Sequence, residues 1–393
     1  MLFLYIVFAI ALGALFVAGI LEQKRHYQSL ESIPIRVLIN GIRGKSSVTR
    51  LVAGALRGGN IRTVAKTTGS AARLISTDGH EVPVYRKFGI ANVSEQVQVV
   101  KRAAAEQPEA LVIECMAVEP ALQEVSQRKL IRSTVGVISN VREDHLAEMG
   151  PTLEEVARSL STTMPWDCPC VTAESELGWV LEEEARKRRT HLIYADPESV
   201  TDEEMDHFEY FTFKENVAIA LAVAQELGVA REDALRGMWE AAPDPGVLTV
   251  ESYFVGDKHI RFANVFAAND PNSTRMNFDR LLETGAVVPP IITLINCRPD
   301  RVERNRQMGE LVEHLLTDVL VVIGHPSRSA VDAAAKSFHG RVVDLGGEDV
   351  DPEDILRAIL EEVDGEASVV AIGNIHGQGE RLLEYLDRLG ALQ

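Results

Sequence analysis

The segment that most restricts the fold is a glycine-containing loop placed between a predicted strand and a predicted helix. Ile35–Asn40 is an apolar run typical of a buried strand, and Ser46–Leu56 has the spacing of a helix. The loop that joins them is Gly41-Ile42-Arg43-Gly44-Lys45. A strand, a short glycine loop and a helix N-terminus in this order form a cradle for phosphate groups. The sequence therefore predicts a phosphate-binding strand–loop–helix unit in a parallel α/β sheet.

The residues of this loop suit a nucleoside triphosphate. Its glycines allow backbone N–H groups to point inward, Lys45 can reach the β- and γ-phosphates, and the Ser46 hydroxyl can bind Mg²⁺. The strict pattern has a glycine five residues before Gly44, where Ile39 stands here, so the loop is a shortened variant. The alternative is an ordinary strand-to-helix turn that contains Gly-Lys-Ser by chance.

Strand and helix patterns alternate along the chain, which indicates parallel strands joined by crossover helices. Further strands are predicted at Ala110–Cys115, Val135–Asn140, Ile260–Val265, Ile291–Asn296, Val319–Ile323, Arg341–Val343 and Ser368–Ile372. Further helices are predicted at Glu95–Glu106, Leu153–Leu160, Leu177–Arg189, Glu215–Leu227 and Glu232–Ala241, with Ser94 and Thr152 as N-caps. The run Ala242-Pro243-Asp244-Pro245-Gly246 interrupts the pattern. We predict an α/β phosphate-loop domain over residues 22–246 and a smaller α/β domain over residues 247–393.

The first 21 residues carry no charged side chain. As a helix they would extend about 31 Å, close to the ~30 Å hydrocarbon core of a bilayer. Basic residues Lys24 and Arg25 follow this run, whereas a secretory signal has its positive charge before the apolar stretch. We predict a single transmembrane anchor with the N-terminus outside and the remaining chain in the cytoplasm. A buried core helix and a cleaved signal are the alternatives.

The net charge of −18 argues against a nucleic-acid-binding protein. The charge is uneven, because residues 22–66 contain nine Lys/Arg and two acidic residues and are therefore +7. Four cysteines in 393 residues exclude a disulfide scaffold. A basic segment in an acidic chain indicates a local anionic ligand or surface.

Two downstream strand patterns are followed by groups that can bind a metal. Glu114 closes an apolar run, and Asp144 and His145 follow the next predicted strand through a short loop. The carboxyl edge of a parallel sheet is where open α/β folds bind ligands. Mg²⁺ prefers oxygen ligands, so Glu114 is a natural ligand and His145 an unusual one. Taken alone, each residue is more often structural.

The order of these motifs resembles that of a known enzyme superfamily. Gly41–Ser47, Glu114-Cys115-Met116-Ala117, Asn140–Leu146 and Glu215–Ala220 are similar to the ATPase motifs of Mur ligases and folylpolyglutamate synthases. A more specific resemblance, over nearly the whole chain, is to the PgsB/CapB family, the ligase subunit of poly-γ-glutamate synthases. The segments that carry it are Ala65–Gly69, Glu114–Val118, Pro243–Gly246, Phe266–Asp270, Asn296–Arg298 and Gly373–Gly377.

The resemblance implies a Mur-ligase-like fold with a Rossmann-like C-terminal domain. It also implies an ATP-dependent amide ligase that makes an acyl phosphate from a glutamate carboxylate and releases ADP and phosphate. Carried over by motif, ATP contacts fall on Gly41, Ile42, Arg43, Gly44, Lys45, Ser46, Ser47 and Asn216, with Asn216 at the adenine. Lys45, Glu114 and His145 are the implied catalytic set. Ser46 and Glu114 are the implied ligands of one Mg²⁺, and His145 matches the histidine that binds a second metal. Candidate substrate residues are Thr67, Thr68, Arg86, Asn269, Asp270, Arg298 and His376.

The chain also departs from the Mur ligase pattern. The predicted anchor leaves no room for a uridine-nucleotide domain before the phosphate loop, which argues against a peptidoglycan precursor as substrate. The modified lysine that Mur ligases carry after the histidine has no counterpart, because no lysine lies between Lys129 and Lys187. Val247 and Leu248 stand where an arginine is usual, and Val265 or Phe266 stands near the expected ribose aspartate.

The expected partners are glutamate, the growing poly-γ-glutamate chain and membrane subunits of a synthesis and export complex, since a single span cannot form a channel. Self-association is left open. The sequence is also compatible with two rival functions. One is a nucleotide-hydrolysing regulatory module of a membrane complex, and the other is a folylpolyglutamate-type ligase that has acquired an anchor.

Overall fold

The computed structural model describes residues 2–68, 72–84, 92–208, 210, 212–244, 248–266, 268 and 270–390. The chain divides into two compact units, Met1–Asp244 and Pro245–Gln393. The predicted α/β fold class is confirmed, since both units are built on a mainly parallel sheet.

The first unit contains ten α-helices and eight strands within the described residues. The helices are α1 Leu2–Glu31, α2 Lys45–Gly58, α3 Glu95–Ala105, α4 Pro120–Val125, α5 Leu146–Met149, α6 Leu153–Leu160, α7 Gly178–Arg188, α8 Asp202–Asp206, α9 Lys214–Glu226 and α10 Arg231–Trp239. The strands are β1 Ile35–Asn40, β2 Thr63–Lys66, β3 Arg73–Ile75, β4 Glu81–Pro83, β5 Ala110–Glu114, β6 Val135–Ile138, β7 Pro169–Thr172 and β8 His191–Tyr194. A π-helical turn, Ser126–Ile131, continues α4.

The second unit contains five α-helices and six strands within the described residues. The helices are α11 Pro271–Glu283, α12 Val302–Leu311, α13 Arg328–Ala334, α14 Pro352–Glu361 and α15 Gln378–Gly390. The strands are β9 Thr249–Val255, β10 Lys258–Asn264, β11 Ile291–Cys297, β12 Val319–Gly324, β13 Arg341–Gly346 and β14 Glu366–Gly373. Short 3₁₀ turns lie at Pro299–Arg301 and Val312–His314 in this unit, and at Ser161–Thr163 and Pro197–Ser199 in the first unit.

The sheet of the first unit has the strand order β4-β3-β2-β5-β1-β6-β7-β8. Strand β1 lies between β5 and β6, with Ile39 opposite both Glu114 and Val137. All five residues of β5 are buried, as expected of a parallel strand covered on both faces. This register brings the end of β1 and the end of β5 to one edge of the sheet. The phosphate loop and Glu114 therefore meet there.

The second unit has the strand order β13-β12-β11-β14-β10-β9. Five of its strands, β10 to β14, form the parallel part of the sheet, and β9 pairs antiparallel with β10 as an edge strand. Strands β11 and β14 are neighbours whose ends place Asn296 opposite Gly373.

Helix α1 contains the predicted membrane segment. Among the described helices, the span Phe3–Glu31 of α1 could cross a bilayer by its length and composition. An 18-residue stretch of it has a mean hydropathy of 2.7, and none of that stretch is buried. The C-terminal turns of α1 pack on the first unit, where Leu30 is 2% exposed. The helix therefore continues from an uncovered apolar run into the folded unit.

Most of the predicted elements are present within two residues of their expected ends. The Thr152 cap is confirmed, since its side chain accepts a hydrogen bond from Glu155 N in a capping box. The Ser94 cap was wrong: Ser94 has helical dihedrals and no capping hydrogen bond. The alternation also missed the four-residue parallel strands β2, β7 and β8. It missed β3, β4 and β9 as well, each of which pairs antiparallel with a strand next to it in the chain, without a helix between them. All four cysteines are free.

Candidate functional site

The phosphate loop has two positions that require glycine. Gly41 has φ +130° and Gly44 has φ +76°, a region that disfavours other residues. A Cβ on Gly41 would lie 2.1 Å from Ser139 Oγ, and one on Gly44 would lie 2.9 Å from Asn216 Oδ1. Helix α2 begins at Lys45, directly after Gly44. The loop therefore ends in a free helix N-terminus, as phosphate binding requires.

The Lys45 ammonium lies over this loop. Its Nζ donates hydrogen bonds to Gly41 O at 2.8 Å and to Ile42 O at 3.1 Å. Both acceptors are neutral carbonyls, so the positive charge remains uncompensated by these two contacts. A cation so placed can attract phosphate oxygens bound to the same loop.

A serine hydroxyl and a carboxylate meet at the carboxyl edge of the sheet. Ser46 Oγ donates to Glu114 Oε2 at 2.8 Å, and the same oxygen accepts from Thr68 N at 2.7 Å. Glu114 is 3% exposed. Mg²⁺ is commonly held by one or two protein oxygens together with phosphate oxygens and water. Ser46 and Glu114 supply hard oxygen ligands beside the phosphate loop, so the residues present fit this ion.

The other sequence-predicted metal ligand has a different environment. His145 has φ +50° at the start of α5, and its side chain is about half exposed. Its ring nitrogens lie 3.9 Å from Asp144 Oδ1 and 4.0 Å from Glu148 Oε2. Nowhere in the described part of the chain do three His, Cys, Asp or Glu side chains form a metal-binding group. A second metal at His145 therefore stays a prediction.

The loop that carries His145 is tied to the phosphate loop. Asn140 Oδ1 accepts from Arg43 N at 3.0 Å, and Asn140 O accepts from Ile42 N at 3.2 Å. Ser139 Oγ donates to Arg43 O at 2.8 Å, and the Arg43 guanidinium lies 3.3 Å from Asp144. These bonds make the two loops one unit, which we call the double loop (residues 41–44 and 139–145).

Glu174 holds the double loop through hydrogen bonds to Val141 and Arg142, a role that was not predicted from the sequence. Its Oε2 accepts from Val141 N at 2.9 Å and from Arg142 Nη1 at 3.1 Å. Its Oε1 accepts from Glu176 N at 2.9 Å and Leu177 N at 3.2 Å, at the start of α7. The side chain is 2% exposed. An acidic residue just after the β7 strand, at the same sheet edge as Glu114, was the available signal.

Asn216 lies close to the phosphate loop, as its predicted role in nucleotide binding requires. It is 7% exposed on α9, with its side-chain oxygen against Gly44. Thr67 Oγ1 accepts from Arg73 N at 3.1 Å, and its neighbour Thr68 reaches Glu114 through its backbone. The contact of Asn216 with adenine stays a prediction, as do the substrate roles of Thr67 and Thr68.

A second buried cluster surrounds Arg50 on α2. The guanidinium forms a two-pronged ion pair with Glu81, contacts Asp244 Oδ1 at 3.4 Å and donates to Ala242 O at 3.2 Å. Burial raises the pKa of Asp244 to about 6, and the Arg50 charge opposes that shift. The phosphate-loop helix thus holds the last residues of the first unit in place.

The second unit has a polar network at the ends of β11 and β14. Asn296 Nδ2 donates to Asn374 O at 2.5 Å and His376 O at 3.0 Å, while Asn374 Nδ2 donates to Asn296 O and Asn305 Oδ1. Among the predicted substrate residues, Arg298 pairs with Asp300 at 2.8 Å. His376 Nδ1 lies 2.7 Å from Glu380 Oε1. Asp270 Oδ1 accepts a hydrogen bond from Ser273 N at 2.9 Å. Arg86 and Asn269 lie outside the described residues.

Two family models match this chain. Residues 39–162 match the Mur ligase middle domain, and residues 250–389 match the poly-gamma-glutamate synthase CapB C-terminal domain. The chain is 40% identical to the capsule biosynthesis protein CapB of Bacillus anthracis over 95% of its own length and 80% of that protein. It belongs to the CapB family. A second relative, PGA synthase CapB of Bacillus subtilis (strain 168), is 38% identical over 95% of this chain and 96% of that one.

Solved structures show that this CapB-family chain has the fold of folylpolyglutamate synthases. The E. coli FolC structure in complex with DHPP and ADP matches with a TM-score of 0.72 at 14% identity, over 93% of this chain and 92% of that chain. The bifunctional synthase from Yersinia pestis, complexed with AMPPNP and Mn ion, matches with a TM-score of 0.64 at 16% identity, over 94% and 92%. The predicted Mur-ligase-like fold and the predicted family are confirmed.

Proposed function

We propose that this CapB-family chain is an ATP-dependent amide ligase that forms γ-glutamyl bonds in poly-γ-glutamate synthesis and releases ADP and phosphate. The observation that carries the proposal is the site of Lys45, Ser46 and Glu114 in a chain 40% identical to CapB over 95% of its length. The structures of the same fold that hold ADP, or AMPPNP and Mn ion, support ATP and a divalent cation as ligands.

The chemistry requires an activated carboxylate, because a free carboxylate has a poor leaving group. Phosphorylation supplies a better one, and an amine then displaces phosphate to give the amide. Bound Mg²⁺ would neutralise charge that develops on the phosphoryl group. Ser46 and Glu114 would hold that ion, and the N–H groups of the first turn of α2 together with Lys45 would hold the triphosphate.

The other residues of the site act by positioning. The double loop fixes the backbone around Ile42 and Arg43, and Asn216 packs beside Gly44. Asn269, Asp270, Arg298 and His376 are our candidates for the incoming glutamate in the second unit. Thr67, Thr68 and Arg86 are our candidate substrate residues in the first unit. Because transfer from a polyphosphate depends mainly on position and charge, this set requires no covalent intermediate on the protein.

The test uses ¹⁸O in the carboxylate of the acceptor. The full-length chain is incubated with ATP, Mg²⁺ and glutamate labelled in both carboxylates, with D- and L-glutamate in separate reactions. We expect ¹⁸O in the released phosphate of one reaction, because the acyl phosphate passes a carboxylate oxygen to phosphate. Turnover to amide without label in phosphate would exclude the mechanism. ADP formation independent of any acceptor would favour the regulatory module.

We propose that α1 anchors the enzyme in the cell membrane, with both units on the cytoplasmic side. The uncovered apolar run and the Lys24-Arg25 pair that follows it support this orientation. Membrane subunits of a synthesis complex are the proposed partners. Protease added to sealed inverted vesicles should digest both units, whereas in intact spheroplasts the units should be protected. Digestion in spheroplasts would reverse the proposed topology.

A further inference from the structure

A cavity of about 710 Å³ lies beside the C-terminal half of α1, and no residue of the phosphate loop lines it. Its walls come from the last turns of α1, from α3, and from the π-helical turn. Gly19, Gln23 and His26 line it from α1, Arg102 from α3, and Lys129 from the π-helical turn. Among the lining residues that the structure describes, none has a role in the proposed ligase reaction.

His26 carries a polar atom without a partner at this cavity. The residue is 8% exposed, and its Nε2 lies 2.9 Å from Leu130 O. Because a carbonyl oxygen can only accept, Nε2 must carry the proton of the neutral ring. Nδ1 then has a free lone pair, and it is buried with no hydrogen-bond partner among the described residues. An unsatisfied buried acceptor is costly, which indicates that a ligand donor completes it.

The charges around the cavity favour an anion. Arg102 and Lys129 line it, and Lys24 and Arg25 are exposed on the adjoining turns of α1. Of the two acidic residues among the described lining residues, Glu95 already pairs with Lys66 at 2.7 Å. The other is Glu22. With Glu95 neutralised by Lys66, the described lining carries a net positive charge, from Arg102 and Lys129 against Glu22.

The position of the cavity along α1 indicates the kind of anion. Gly19 belongs to the uncharged run that ends at Leu21, and a Cβ there would meet no atom within 4 Å. The cavity therefore begins beside the apolar run and continues past the first charged residues, the level at which lipid headgroups lie. A lipid satisfies both parts, with acyl chains beside Gly19 and a charged headgroup beside Arg102 and Lys129.

We propose that this cavity binds one anionic phospholipid whose headgroup carries hydroxyl donors, of which phosphatidylglycerol is the simplest example. Arg102 and Lys129 contact the phosphate, and His26 Nδ1 accepts a hydrogen bond from a headgroup hydroxyl. This inference rests on the membrane placement proposed above. A growing polyglutamate chain fits less well. It has no apolar part for the region beside Gly19, and its carboxylates would be repelled by the carboxylate of Glu22.

The test measures lipid retention by native mass spectrometry of the full chain, released from nanodiscs of phosphatidylcholine with phosphatidylglycerol. We expect one phosphatidylglycerol retained per chain, in preference to phosphatidylcholine. The Arg102→Ala/Lys129→Ala variant should retain it about 30-fold more weakly, because two basic contacts are lost. The matched control is Arg186→Ala/Lys187→Ala, which removes two exposed charges of α7 and should retain lipid as the wild type does.

The role of His26 is tested with phosphatidylmethanol, which has the same phosphate charge and no headgroup hydroxyl. The wild type should bind phosphatidylglycerol about fivefold more tightly, the effect of one hydrogen bond. His26→Phe should remove this preference while the protein still binds both lipids better than phosphatidylcholine. Equal retention of all three lipids by the wild type would overturn the proposal, and so would an unchanged preference in His26→Phe.

Two further arms separate the possible sources of the anion. Neither inorganic phosphate nor a glutamate oligomer should displace the retained lipid, and displacement by either would overturn the lipid assignment. Failure of the chain to enter nanodiscs of any composition would refute the membrane anchor itself. Entry without headgroup preference would refute the cavity proposal alone.

Discussion

Replacement of Glu174 by glutamine should disable the site through the double loop. The substitution keeps the size of the side chain but replaces one of its two acceptor oxygens by an NH₂ group, which is a donor. The carboxylate accepts from Val141 N and Arg142 on one oxygen and from the backbone N–H groups of the two residues before α7 on the other. A glutamine can serve one of these pairs, and its NH₂ group must face donors of the other pair.

The structure sets the expected size of the effect. Each hydrogen bond to a charged acceptor contributes about 1.5–3 kcal/mol, so loss of the pair at Val141 and Arg142 should reduce the free energy of unfolding by about 3 kcal/mol. We take the low end because the Arg142 side chain is 59% exposed. Loss of such support for a metal site usually reduces metal affinity or activity by about 10- to 100-fold.

Three measurements test this prediction: urea unfolding, hydrogen exchange of residues 139–145, and the Mg²⁺ dependence of ADP formation. Glu174→Gln should lower the unfolding midpoint, speed exchange in that segment and raise the Mg²⁺ concentration at half-maximal rate about tenfold. The control is Glu204→Gln on α8, where the carboxylate accepts from Thr201 N and pairs with Arg231. This control should lose stability with unchanged Mg²⁺ dependence. Native exchange and Mg²⁺ dependence in Glu174→Gln would refute the reasoning.

Three further predictions concern the phosphate loop, the end of the first unit and the anchor. Lys45→Ala should reduce ADP formation at least about 100-fold with an unchanged circular dichroism spectrum, and wild-type turnover would contradict the loop assignment. Because burial raises the pKa of Asp244 to about 6, the folded state holds its proton more tightly than the unfolded state, and its contribution to stability falls as the pH rises from about 4 to about 6. The urea midpoint of Asp244→Asn relative to wild type should therefore increase across that interval and stay level above it, whereas a constant difference would contradict the shift. Deletion of residues 1–21 should move the chain from the membrane to the soluble fraction while ADP formation is retained, and a variant that remains in the membrane would disprove the anchor.

Local patterns in the sequence determined the fold class and the centre of the site. Ile35–Asn40, the glycine loop and the start of α2 are contiguous, so their geometry follows from local rules of strand, turn and helix formation. The 21-residue apolar run is likewise a local property. Glu114 could be placed at the sheet edge because it ends an apolar strand pattern.

The tertiary structure decided which distant residues meet. Ser46 and Glu114 lie 68 positions apart and form one hydrogen bond because β1 and β5 are neighbours in the sheet. Glu174 reaches the double loop, and Arg50 reaches Asp244, through the same kind of long-range contact. Local spacing carries no information on such pairs, because strand order and register, and not distance along the chain, set which side chains share an edge. The sequence thus determined which chemical groups this ligase possesses, and the packing of its sheets decided which of them act together.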